Sequence, residues 1–312
     1  MAVTNALSPL AVITALDAVF VQEYEYPTGG PGTATAETPE IFKQVPVSNA
    51  AHIEAVLSGG GGFWSIKGEE VPVTQASPRV ANKVTYPILT FAEELQISKE
   101  FFDDNMHGVW ENMVRKFAGN ARSTRDRYAF GLYRGAFTTT LTADGLSLIN
   151  AAHVTIAGPT VSNVIAGNPR LTPQSLNTGI VQMLQMTSQD GIPMGEGPSY
   201  LLVAPANFKN AMEITGSQLV SDSSNNAINV YSSTYQLKVF QSIFLSTAQG
   251  GNDQAWFLLG RNHGVTRYVR EGITTALVDY IYSSNDNYIY KGRYREQVGV
   301  TDYVAIVGSN AS

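Results

Sequence analysis

The chain contains no cysteine. Disulfides, thiolate metal sites and cysteine nucleophiles are therefore excluded, and the absence fits a reducing compartment. Charge is also scarce: Asp, Glu, Lys and Arg make up 15% of 312 residues, against 44% hydrophobic residues. A soluble monomer usually carries more charge to keep its surface solvated. Few charges together with 15 tyrosines point to surface hidden against partners, because interfaces are poor in charge and rich in aromatics. Basic residues are outnumbered, 20 to 26, giving a net charge of −6 and a pI near 5.3. That balance excludes a dedicated nucleic-acid binder, which needs a basic footprint. Long apolar runs are missing, so no membrane span is expected. Residues 1–20 lack the basic start of a signal peptide, and Pro9 and Asp17 break their apolar stretch. No fixed-period repeat is visible.

Catalytic and metal signatures are missing too. The histidines, His52, His107, His153 and His263, share no metal-ligand spacing, and neither H-E-x-x-H nor G-x-S-x-G occurs. Glu69–Glu70, Glu93–Glu94 and Asp103–Asp104 are adjacent pairs. Neighbours on a strand face opposite ways and neighbours on a helix sit about 100° apart, so none of these pairs flanks a scissile bond. No catalytic residue, metal or cofactor is expected. His153 with Asp144 is the one pairing that a hydrolase reading would use.

What the chain does have is "SGGGGFWSIKGEEV", Ser58 to Val71. Glycines beside a lysine suggest a phosphate cradle, but the spacing refuses it. A P-loop needs glycine immediately before its lysine, where Ile66 stands, and serine or threonine after it, where Gly68 stands. No helix follows to hold a phosphate at its N-terminus. The stretch is expected instead to be a hinge, with Phe63 and Trp64 anchoring its base.

Around it the chain divides. Leu7, Leu10, Ile13, Leu16 and Phe20 recur at helical spacing, predicting a short amphipathic arm that docks on its own core or on a neighbour. Residues 21–50 lack periodicity and read as extended or mobile chain. "VSNAAHIEAVL" suggests a short helix. Residues 63–97 are strand-like but punctuated by Pro72, Pro78 and Pro87, which suits a projecting hairpin with its tip at Gln75–Asn82. Ser98 caps a predicted spine helix to about Arg134, with Phe102, Met106, Val109, Met113, Phe117, Ala121 and Tyr128 as its stripe and Gly108 or Gly119 as bends. Basic residues gather toward its far end, among them Arg122, Arg125 and Arg127, as the helix dipole prefers. A loop-rich stretch turns at Asp144. Thr172 caps a second helix with Pro173 in its first position. "SYLLVAPANFKNAMEIT" reads as strand, turn and helix, "NVYSSTYQLKVFQSIFL" as two strands, and "QAWFLLG" as a buried strand. Alternating tyrosines then mark long strands toward the C-terminus.

This order of parts, with "GLSLINAAHVT", "DGIPM" before "YLLVAPAN", "NNAINVYSS", "AWFLLGRNHGVTRYVREG" and "YKGRYREQVGVTDYVAIVGS", resembles tailed-phage major capsid proteins of the Hong Kong 97-like fold, Mu-type head subunits in particular. The resemblance implies an α+β fold: an N-terminal arm (1–50), an extended loop (51–97), a peripheral domain with the spine helix (98–170 and 266–312) and an axial domain (171–265). It implies a virion protein, assembled in the host cytoplasm, whose hexamers and pentamers close an icosahedral shell around DNA held without sequence preference. Scaffolding, portal and decoration proteins would be separate partners; family members often begin with a long scaffolding segment, and Met1 here suits a separate scaffold. Phe63, Trp64, Lys67, Glu69, Glu70, Arg79, Arg122, Arg125 and Arg127 are the expected inter-subunit contacts. The alternatives are an encapsulin-like shell around cargo enzyme, and a tail-tube or sheath protein, which would give open filaments.

Overall fold

The computed structural model describes residues 9–25, 31–104, 109–216 and 230–311. In chain order its elements are α1 (Pro9–Glu25), β1 (Lys43–Pro46), β2 (Ala51–Ser58), β3 (Arg79–Pro87), β4 (Leu89–Ser98), α2 (Lys99–Asp103), α3 (Val109–Arg134), β5 (His153–Val154) and β6 (Thr160–Val161). They continue with α4 (Pro173–Leu184), β7 (Pro198–Val203), α5 (Pro205–Gly216), α6 (Val230–Ser233), β8 (Lys238–Gln241), β9 (Trp256–Gly260), β10 (Val265–Val278), β11 (Asn287–Val300) and β12 (Ile306–Ser309).

Two four-stranded sheets organise the chain, in the orders β1-β10-β11-β4 and β12-β9-β7-β8. In the second sheet, successive residues face opposite sides. Leu202, Phe257, Leu259 and Ile306 join the end of α3 (Ala129, Phe130, Tyr133) in one core. Leu201, Val203, Trp256, Leu258 and Val307 join Leu176, Ile180 and Met183 of α4 in another. The near-continuous apolar run "WFLLG" thus reflects a strand covered on both faces. A third cluster seats α1 on α3: Leu16, Phe20 and Tyr24 pack against Trp110, Val114, Phe117 and Tyr290. Asp17 joins this contact by accepting from Thr275 Oγ1 and Tyr290 Oη at 2.7 and 2.8 Å.

Several expectations hold. The arm is helical, and its Leu16 and Phe20 are buried on the subunit's own core; Leu7 lies outside the described residues, as do the side chains of Leu10 and Ile13. Thr172 and Ser175 form a reciprocal capping box with Pro173 at the first helical position. Asp144 builds its turn by accepting from Leu146 N–H at 3.0 Å, and Gly145 takes φ +79°. Ser98 Oγ accepts from Phe101 N–H at 3.3 Å, as a cap should.

Others are corrected. Residues 51–58 are strand, not helix: Ile53, Ala55 and Leu57 alternate, and pairing with β3 decides the conformation. Residues 31–46 are far from loose, because Ala36, Ile41 and Phe42 are fully buried and β1 runs parallel to β10. That burial comes from isolated contacts without periodicity, which pattern reading does not detect. The spine is helical in two stretches, α2 and α3, on either side of residues 105–108, which lie outside the described residues along with Met106, His107 and Gly108. α3 runs unbroken through Gly119 for 26 residues, about 39 Å at ~1.5 Å per residue. Its buried stripe keeps the expected Phe117 but otherwise runs through Trp110, Val114, Ala118 and Ala129, one position on from the expected residues, leaving Val109 and Met113 exposed. Among the described residues 230–245 only one strand, β8, forms; α6 takes the place of the other. Two strands also lie elsewhere than their segments suggested. β4 belongs to the first sheet beside β11, and β12 leaves it for the second sheet beside β9.

Candidate assembly surface

β2 and β3 form a two-stranded antiparallel hairpin that stands apart from both large sheets. Its base is fixed by an aromatic stack. The Tyr268 ring lies between His52 at 4.5 Å and Tyr86 at 5.1 Å. Tyr86 Oη meets Thr301 Oγ1 at 3.1 Å, and Thr301 in turn donates a short bond to Glu54. The stack requires Gly299, where a Cβ would lie 2.2 Å from the Tyr86 ring. Burial pushes the Tyr86 phenol up to about 12, so it stays protonated at neutral pH.

Residues 59–78 form the far end of the hairpin and contain no strand. The tip is therefore longer than Gln75–Asn82 and begins at the glycines. Phe63 and Trp64 sit out on it, 78% and 99% exposed, and do not anchor the base. The glycines have a different use from a hinge. Gly60 adopts φ +84°, and its missing Cβ leaves room for Ser77, whose carbonyl carbon would otherwise be 2.1 Å away. Ser77 N–H donates to Gly60 O at 2.9 Å and closes the neck. Asp190 clasps the same neck from the second lobe: Ser58 Oγ donates to it in a short bond, and Gly59 N–H donates to Oδ2 at 2.8 Å. The Ser58 bond and then the Gly59 bond hold this carboxyl below its usual range. Sequence reasoning missed Asp190, since its partners lie about 130 residues away.

The expected contact residues separate into two groups. Phe63, Trp64, Lys67, Glu69, Glu70 and Arg79 are all exposed on the tip or at the start of β3. Ile66, Val71, Val73, Ile53, Leu57 and Val80 add exposed apolar surface. Arg127 is exposed on α3. Arg122 and Arg125, by contrast, are buried in their own subunit. Arg122 donates to Glu23 O at 2.6 Å, and Arg125 pairs with Glu37 at 2.6 Å while stacking over the Tyr24 ring at 4.7 Å. These two arginines hold the N-terminal segment and are corrected from intersubunit to intrasubunit contacts. Beside them Asp126 accepts from Ala36 N–H at 2.7 Å, and Arg267 faces Glu296 at 3.6 Å. Burial drives the Asp126 and Glu296 carboxyls above their ordinary range and the Arg267 guanidinium below its own.

His153 and His263 serve packing, while His107 lies outside the described residues. His153 does meet Asp144, at 2.6 Å, but it is fully buried, stacked on Tyr303 at 3.9 Å, and its Nε2 faces Leu148 O at 3.2 Å. The nitrogen that a hydrolase would turn toward a nucleophile meets a backbone carbonyl. His263 donates from Nε2 to Glu40 O at 2.9 Å and accepts Val265 N–H on Nδ1. That arrangement requires the neutral ring, and burial pushes its pKa down to about 4. Among the described residues no group of acidic or histidine side chains could hold a metal.

The fold is thus α+β, with a long helix, two four-stranded sheets and a separate hairpin whose aromatic tip is exposed. A family model described as phage capsid protein matches residues 81–309. The chain belongs to that family and is a structural capsid protein, not an enzyme. No curated protein matches it. Among solved structures it is similar to the capsid of the cyanophage P-SCSP1u, with a TM-score of 0.58 at 13% identity, covering 92% of this chain and 91% of that one. The capsid of a native GTA particle matches with a TM-score of 0.57 at 12% identity over 93% and 96% of the two chains. A virus-like particle from Pyrococcus furiosus matches with a TM-score of 0.53 at 9% identity over 96% and 99%. These likenesses carry the fold, which is Hong Kong 97-like.

Proposed function

We propose that the chain is the major head protein of a tailed phage, self-assembling through hexamers and pentamers into an icosahedral shell around double-stranded DNA. The observation that carries this is the hairpin tip, whose large apolar side chains are exposed among the described residues although the chain belongs to a capsid family. Ile66 and Trp64 stand fully in solvent, and a contiguous apolar patch of this kind marks an interaction site. The β2–β3 hairpin is the extended loop reaching a neighbour. The first sheet with α3 forms the peripheral part, and the second sheet with α4 and α5 the axial part. The ordered strings shared with Mu-type head subunits support that nearer kinship. The net charge of −6 suits a lining that does not grip DNA, because every phosphate contact would add salt-dependent affinity and hinder packaging and release. Scaffolding, portal and decoration proteins are separate partners in this reading.

Electron microscopy and light scattering of the purified protein test it. Closed hollow particles are expected; a discrete monomer or dimer under every assembly condition overturns it, and open filaments would point to a tube or sheath. The second reading is an encapsulin-like shell around protein cargo, which the same subunit fold would also allow. Particle contents separate the two: nuclease-protected DNA supports the phage head, and co-purifying folded protein supports the compartment.

A further inference from the structure

The first sheet carries a slot that matches the tip. Its walls are Phe91, Phe117 and Tyr294, with Thr90, Ala121, Thr124 and Ile273 around them, and its volume is about 240 Å³. Phe91 and Tyr294 stack at 4.9 Å and 11° across the β4–β11 pair. Gly292 makes the gap between them and Phe117, since a Cβ there would lie 3.2 Å from the Phe117 ring. The slot is thus an aromatic-walled space able to take one large flat side chain, where stacked and edge-on ring contacts add to the apolar burial.

Its rim carries two charges without an ion-pair partner among the described residues. Along this part of β4 and β11, Glu94 pairs with Lys291 at 3.3 Å, and Arg293 pairs with Glu271 at 3.5 Å. Glu93 lies opposite Gly292, on the same face as Phe91, and is exposed. It has no ion-pair partner among the described residues. On the helix side, exposed Lys116 adjoins Phe117 and is likewise unpaired among them. The tip presents the complement: Trp64 is 99% exposed, with Lys67, which has no ion-pair partner among the described residues, three residues on and Glu69 and Glu70 just beyond. In extended chain Trp64 and Lys67 are up to about 10 Å apart, the scale of one aromatic slot and its rim.

We infer that the slot between β4, β11 and α3 receives Trp64 from a second copy of this chain, with Lys67 paired to Glu93 and Glu69 or Glu70 facing Lys116. The occupant is a second copy because the same chain supplies both halves, each unsatisfied in its own subunit. A contact from one patch to a different patch is heterologous, and such contacts generate rings where the rotation between copies closes. The inference rests on the shell reading and specifies which surface the tip meets.

Charge reversal tests it, with shells counted by electron microscopy and sedimentation. Lys67 and Glu93 are exposed, so Lys67→Glu and Glu93→Lys should leave subunit folding intact, as checked by thermal unfolding. Each single reversal is expected to cut shell yield by about tenfold or more, equivalent to ~1.4 kcal/mol per contact, and the double reversal to restore it. As a second readout, Lys67→Cys with Glu93→Cys, in a chain that otherwise has no cysteine, should give a ladder of disulfide-linked subunits on oxidation. Wild-type shells without rescue by the double reversal and without a ladder would overturn this docking and leave the shell reading standing. Failure of the wild-type chain to form shells at all would overturn both.

Discussion

Trp64 shows how far a side chain's role depends on where its neighbours are. A tryptophan beside glycines fits an anchor at the base of a hinge, but this one is 99% exposed at the end of a hairpin. Removing it costs the isolated subunit nothing that it had buried. Trp64→Ala should therefore leave thermal stability within about 0.5 kcal/mol of wild type, while shell yield falls sharply in an assembly assay. His263 is the opposite case. Its ring is buried and neutral, with its pKa pushed from 6.5 down to about 4. As pH falls through 6.5 the unfolded chain gains a proton that the folded one refuses, so this group's stability is full above 6.5 and lost by about pH 4. The loss amounts to about 3 kcal/mol. Unfolding free energies from denaturant titrations at pH 7 and pH 4 should differ in wild type by more than in His263→Gln, by roughly that amount.

At the scale of elements, α1 and the hairpin have opposite relations to the rest of the subunit. α1 is part of the core: Phe20 is fully buried and lies 6.0 Å from Phe117 and 6.1 Å from Tyr290, ring to ring. Phe20→Ala should cost about 3–5 kcal/mol, as large-to-small changes at packed aromatics do, measured by urea unfolding of the unassembled subunit. Residues 59–78 are outside every core cluster. Replacing them with a short turn between Ser58 and Arg79 should preserve the subunit's circular dichroism and melting transition while abolishing closed particles; normal shell yield from this variant would refute the role given to the loop.

For the whole molecule, the scarcity of charge and the exposed apolar tip share one explanation, which is that the folded subunit is finished by other copies. Anything that binds only the native state stabilises it by mass action. The melting temperature of the wild-type chain should therefore rise with protein concentration once shells form, whereas that of the 59–78 replacement should stay flat. Scanning calorimetry over a hundredfold concentration range would decide this.

Much of this protein was determined by local chemistry that can be read along the chain. The capping box at Thr172 and Ser175, the Asp144 turn, the buried strand at Trp256–Gly260 and the absence of any catalytic motif depend on residues within a few positions of one another. The resemblance to the capsid family likewise lies in ordered strings along the chain. Only the tertiary structure decided the rest. β2 is a strand because β3 pairs with it, and β12 joins the second sheet because Val307 and Ile306 complete its two opposite cores. Arg122 and Arg125 turn inward because Glu23 and Glu37 meet them across 88 residues or more of chain. Gly60 is needed because Ser77 crosses at its neck, and Asp190 clasps that neck from a loop more than 130 residues along. Pairing and burial between distant segments leave no periodicity in the sequence, so the arrangement of the tip, its neck and the slot became visible only once the chain had folded.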